Sequence, residues 1–210
     1  LKRIIFLLFV LSLISCNKDN GDNFLGDFLL GDLKSTNPYK GDESIIFISS
    51  DSNTYMFKGE GRGDATLSST YTNGYFNYEN DITHFSDLSG RYEVEIALLS
   101  FYSQGSPTYD MKINIFDYES LIYKGYISYN NAPLPLSNNS SVYNYFDSLC
   151  ILNNMYYGIY LFKLESIPYR SESLKNDSIH PRFLYFSKSH GILKVDFTDS
   201  TFWELKEIIH

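Results

Sequence analysis

Cysteine is almost missing from this chain. The 210 residues include only Cys16 and Cys150, so a disulfide-stapled scaffold is excluded. Basic residues are also in short supply. Seventeen Lys and Arg face 25 Asp and Glu, for a formal net charge of −8. No Lys/Arg cluster of the kind that neutralises phosphates occurs, so nucleic acid is not an expected partner. The four histidines, His84, His180, His190 and His210, share no metal-ligand spacing with one another or with cysteine, and no metal or cofactor is expected. The chain also lacks a Gly-x-Ser-x-Gly elbow, a phosphate-binding glycine loop and a Cys–His pair. Gly59-Glu60-Gly61-Arg62-Gly63 has glycines but no lysine or following helix to hold phosphate, and it reads as a bulge or turn after a strand. Glu93 and Glu95 share a strand face, as a glycosidase pair would. They sit on the polar, normally solvated side of the alternation, whereas a catalytic acid needs burial. A non-enzymatic protein is expected.

The longest apolar run lies at the N-terminus. Lys2 and Arg3 precede Ile4–Ile14, interrupted only by Ser12, and Leu13-Ile14-Ser15-Cys16 follows the apolar, apolar, small, Cys order of a lipobox. The run is too short for the roughly 20 apolar residues of a membrane-spanning helix. With its basic start and small-residue end it reads as a removed export signal. Cys16 is then the lipidated residue, and the chain is expected to be held on a membrane through that anchor. One acyl chain binds a bilayer only marginally, whereas two or three, at about 0.8 kcal/mol per buried CH₂, hold firmly. With Cys16 consumed, Cys150 has no partner. Flanked by Leu149 and Ile151, it is expected to be a small buried hydrophobe.

What is abundant is aromatic: 19 Tyr and 16 Phe. Strands favour such residues, and tyrosines can also stack on sugars. The period-two pattern is plain in Arg91–Ile96, Met111–Ile115 and Ile192–Phe197, which cannot bury one stripe of a helix. Short turns are expected at Ser50–Asn53, Glu79–Asp81, Asn153-Asn154, Lys188–Gly191 and Asp199-Ser200, so neighbouring strands should be antiparallel. The fold class is therefore all-β: a single antiparallel meander of about ten strands, forming a sandwich or a curved half-barrel sheet, preceded by a removed signal helix. The longer loops fall at 130–141 and 166–181. The division is a signal over 1–15, a flexible tether and apolar clip over 16–36, and a β domain over 37–210. Gly21-Asp22, Gly26-Asp27 and Gly31-Asp32 bracket the clip.

Two stretches resemble a known group. Asn17-Lys-Asp-Asn-Gly-Asp-Asn23 resembles the charged segment behind the lipidated cysteine in surface-exposed lipoproteins of the Bacteroidetes type. The tyrosine-rich Tyr145–Tyr160, together with Phe183–Leu205 and its Ser-Lys turn and final aromatic-x-Leu, resembles the closing portion of uncharacterised lipoproteins of that type. The resemblance implies a lipid-anchored protein of the outer membrane, facing the cell surface, and transfers no catalytic residue. Asp147-Ser148-Leu149, Asp177-Ser178-Ile179 and Asp199-Ser200-Thr201 look like the O-glycosylation sites of that group's exported proteins, with Ser178 favoured over Ser148 and Ser200. The leading expectation is a ligand- or partner-binding domain. The rivals are a carrier of lipid or another apolar ligand, and a glycan-binding accessory module.

Overall fold

The computed structural model describes residues 23–71, 74–103, 106–117, 121–129, 142–168 and 179–210. Cys16 and Ser178 lie outside them, as do the signal segment, the whole expected loop 130–141 and residues 169–178 of the second long loop. Among the described residues thirteen strands form one sheet: β1 (Asn23–Phe28), β2 (Ser44–Ser49), β3 (Thr54–Tyr71), β4 (Gly74–Asp87), β5 (Tyr92–Ser103), β6 (Ser106–Asp117), β7 (Leu121–Tyr129), β8 (Val142–Ile151), β9 (Asn154–Lys163), β10 (Glu165–Pro168), β11 (Pro181–Ser187), β12 (Gly191–Phe197) and β13 (Phe202–Ile209). All pairings are antiparallel except that of β1 with β4.

The sheet curls until it nearly meets itself. β9 and β10 are separated only by Leu164. β9 pairs with β8 and β11, while β10 pairs with β7. The strand order β7-β6-β5-β4-β3-β2-β13-β12-β11-β9 therefore returns to β7 through β10. The result is a nearly closed antiparallel barrel, the curved form of the two arrangements the sequence permitted. Gly125 of β7 lies at the closure, where an added Cβ would come within 3.2 Å of Phe162 and Leu164.

Alternation decides what fills the barrel. Phe57, Phe85, Ile96, Met111, Ile113, Ile115, Ile127, Phe162, Leu184 and Phe186 are all fully buried. On β12, Leu193, Val195 and Phe197 line this core as the period predicts. Ile192, across the alternation from them, is buried as well and belongs to the same cluster. The Tyr39 hydroxyl accepts the Ile192 N–H at 2.8 Å.

The chain before β2 is a strap across one end of the barrel. Phe28 of β1 stacks on Tyr102 at 5.3 Å, and a 3₁₀ turn over Gly31–Thr36 follows. Polar side chains pin the strap. Asn37 Nδ2 donates to Thr83 Oγ1 at 2.8 Å. Arg62 donates through Nε to the buried Asp81 at 2.7 Å, and through its other nitrogens to the carbonyls of Tyr39 (2.7 Å) and Lys34 (3.1 Å). The Gly59–Gly63 stretch is the expected bulge: pairing with β4 shifts between Gly59 and Gly61, whose N–H groups donate to strap carbonyls of Glu43 and Gly41 at 2.8 Å.

Four expectations are corrected. The loop expected over 166–181 is shorter, because Glu165–Pro168 is β10 and Pro181 begins β11. Glu79-Asn80-Asp81 is no turn but the middle of β4. Polar residues occur there because Asp81 serves Arg62, while a Glu79 oxygen accepts the Leu30 N–H at 2.8 Å. Cys150 is exposed, not buried. It pairs with Met155 near the tip of the β8–β9 hairpin, which stands at the sheet edge, so its apolar neighbours do not bring it inward. The β8–β9 turn itself sits one residue earlier than expected, on Leu152 and Asn153, both at positive φ (46° and 64°). That is the two-residue hairpin geometry in which Asn is at ease.

Candidate functional site at the turn end of the barrel

The end opposite the strap carries the turns β2–β3, β4–β5 and β12–β13. Each is organised by a carboxylate. In Ser50–Asn53, Asp51 accepts from the Ser49 hydroxyl and from Asn53 Nδ2 (2.6 Å), and Ser52 takes a positive φ of 68°. These bonds, Ser49's foremost, hold the Asp51 carboxyl below its usual range. Asp87 ends β4 and accepts the Tyr92 N–H at 3.0 Å together with the Ser89 hydroxyl. Asp199 accepts from the Thr201 N–H (3.0 Å) and hydroxyl (2.6 Å), while Ser200 sits at φ 72°.

Each of these turns is flanked by aromatic residues, and the barrel gathers them. Trp203 of β13 is only 5% exposed. Around its ring stand Tyr55 of β3 (centroids 5.0 Å, planes at 36°), Tyr92 of β5 (5.0 Å, 83°) and Phe197 of β12 (4.8 Å, 67°). They bound an open cavity of about 160 Å³ that also touches Asp51 and Phe202. Burial pushes the Tyr92 phenol up to about 12, so it is neutral at pH 7. Arg91 lies over Tyr92, 4.9 Å from the ring centre, and reaches Asp117 at 3.3 Å. Beside the mouth, His180 stacks on Tyr123 at 5.7 Å with nearly parallel planes.

A second open cavity of about 260 Å³ lies at the strap end, beside Glu43, Tyr156, His190 and His210. Its buried carboxylate is already engaged. The Glu43 oxygens accept the N–H groups of Lys40 and Gly41, each at 2.7 Å. The aromatic mouth is therefore the better candidate.

The residues singled out from sequence scatter. Glu93 and Glu95 lie on the outer face of β5 with His84, at 3.3 and 3.9 Å, away from the mouth. Ser148 is exposed on β8, and Ser200 is exposed in the turn beside the mouth. His190 meets the edge of Tyr156 at 5.1 Å. The tyrosine-rich hairpin does expose Tyr143, Tyr145 and Tyr157 (66, 50 and 67%). Tyr143 packs on Phe183 and Tyr145 on Tyr160. Phe183 is in register with Lys163, three residues from Tyr160, so these rings lie on opposite faces and make no single platform. Among the described residues no group of three or more His, Cys, Asp or Glu is placed to hold a metal, and no helix is long and apolar enough to cross a membrane.

Tyr55, Tyr92, Phe197 and Trp203 were not grouped from sequence. The one local sign was the pairing of aromatics with turn residues at three hairpins. Which turns share an end depends on the barrel. No family model, curated protein or solved structure matches this chain. Its class rests on the fold: a nearly closed antiparallel β-barrel with an aromatic mouth.

Proposed function

We propose that this protein is a non-enzymatic binding module, carried on the outer membrane by lipidated Cys16, with the turn-end mouth of the barrel as its ligand site. The supporting observation is the ring set around Trp203. Four aromatics from four strands converge on an open cavity at a barrel mouth, a usual place for a small-molecule site. The nearby carboxylates have structural work. Asp87 and Asp199 close turns, and Asp117 holds Arg91. The interior behind the mouth is filled by phenylalanine and isoleucine, which favours a mouth-bound ligand over an apolar cargo held deep in the barrel.

Trp203 is the single tryptophan and lines the cavity, so its emission reports on the site directly. Titrating the chain with a panel of soluble saccharides, amines and short-chain phospholipids is expected to give a saturable change with at least one member. Tyr92→Leu, confirmed as folded by circular dichroism, is expected to abolish it. Emission that ignores the whole panel overturns the reading.

A further inference from the structure

We infer that the mouth receives a methylated or quaternary ammonium group, an inference that rests on its being the ligand site. A sugar ring stacks on one flat face. Here Tyr92 and Phe197 stand at 83° and 67° to Trp203, with Tyr55 tilted at 36°, all within 5.0 Å of it. None of the three lies parallel to the Trp203 ring, so together they present no flat platform. A trimethylammonium head presents positive C–H groups in every direction and is attracted to several ring faces or walls at once, which is how aromatic cages hold choline-like ligands.

Charge agrees with shape. The cavity lining contains no Lys or Arg, while Asp51 stands on it with its carboxyl held low by the turn. Arg91 is 4.9 Å from the Tyr92 ring centre, but it reaches Asp117 and does not line the cavity. Asp51 already accepts from Ser49 and Asn53. It gives the cavity a fixed negative charge, which suits an ammonium whose hydrogens are replaced by methyl groups and which therefore needs no hydrogen-bond acceptor. Size agrees too. At about 160 Å³ the cavity is smaller than the roughly 300–1,000 Å³ of drug-sized pockets, so it takes a head group and leaves the rest of the ligand outside.

The test compares three probes on the full chain at constant ionic strength, by calorimetry and Trp203 emission. They are choline chloride, its neutral carbon isostere 3,3-dimethylbutan-1-ol, and methyl glucoside. Choline is expected to saturate the site and to bind at least tenfold more tightly than the isostere. Tyr55→Leu, which keeps apolar bulk but removes the ring, is expected to weaken choline about tenfold, and Tyr55→Phe to restore it. Asp51→Asn, at an exposed rim, is expected to weaken choline about threefold and leave the isostere unchanged. Equal binding of choline and isostere overturns the inference but leaves an apolar mouth. Binding of methyl glucoside alone overturns the ligand class while the mouth remains a ligand site. Silence with all three overturns the inference, and the broader panel then decides whether the mouth binds anything.

Discussion

Trp203 joins the core to the mouth. It is 5% exposed, and Phe47, Tyr55, Phe57, Tyr92 and Phe197 all lie within ring contact. Truncating a buried aromatic to alanine removes transfer free energy and leaves a cavity, at a cost of about 3–5 kcal/mol against a domain stability of about 5–15 kcal/mol. Trp203→Ala is therefore expected to lower the urea midpoint severely, measured by circular dichroism because the fluorophore is gone. A urea midpoint close to that of the wild type would mean that the ring carries little of the core. Glu43 offers a second test at this scale. Burial by itself would raise its carboxyl pKa, but the backbone N–H donors around it outweigh burial and hold it below the ordinary value. A carboxyl whose folded pKa is depressed adds stability above its unfolded pKa and loses it as pH falls through the folded one. Stability is thus expected to fall as pH drops below about 4.5 and onward toward the depressed value. Glu43→Gln is expected to be less stable at pH 7 and to flatten this slope, read as urea midpoints at successive pH values.

Among the elements, the strap is the part whose placement depends on contacts far away in sequence. Tyr39 reaches the β11–β12 turn, where its hydroxyl accepts from Ile192 and donates to the His190 carbonyl at 3.4 Å. Gly191 makes room for it. Its φ is +75°, and an added Cβ would fall on the Tyr39 ring. Gly191→Ala thus combines backbone strain with a clash, and a loss of about 2–4 kcal/mol is expected in denaturant unfolding. In the double variant with Tyr39→Ala the clash disappears and only backbone strain remains, so the second substitution is expected to cost less than Tyr39→Ala does alone. Additive costs would show that the glycine is not there for the tyrosine. Arg62 is the strap's other fixed point, since Asp81 is buried beneath it and needs a partner.

For the whole molecule, the proposed anchor and the proposed site are independent. In this proposal the barrel would bind in its mouth, and residue 16 would decide where the barrel is held. If the lipobox reading holds, Cys16→Ala removes the acylated residue, and the chain is expected in the soluble fraction without incorporated fatty acid. Metabolic labelling followed by fractionation checks this. Retention of the unlabelled variant on the membrane would overturn the anchor. The ammonium titrations are unaffected by that result, because they concern residues from Asp51 to Trp203.

The local pattern of this sequence was enough for an all-β, antiparallel reading. Period two in Met111–Ile115 and Leu193–Phe197 can only be a strand buried on one face, and most turns fell at or beside the positions marked by Ser, Asp and Asn. The bulge at Gly59–Gly61 was legible for the same reason, since glycine has few local uses inside a strand. What failed were readings that depend on distant partners. Glu79–Asp81 resembles a turn until Arg62 and Leu30 supply the charge and N–H that keep those residues in a strand. Cys150 looks buried until its hairpin is found at the sheet edge. Closure of the sheet was decided at Leu164, where one residue between β9 and β10 lets the chain return to β7. The site depends on that closure. Tyr55, Tyr92, Phe197 and Trp203 are up to 148 positions apart in the chain, and only the barrel's pairing order brings their turns to one end. Side-chain alternation is written over a few residues, whereas strand neighbours are chosen by packing across the whole chain.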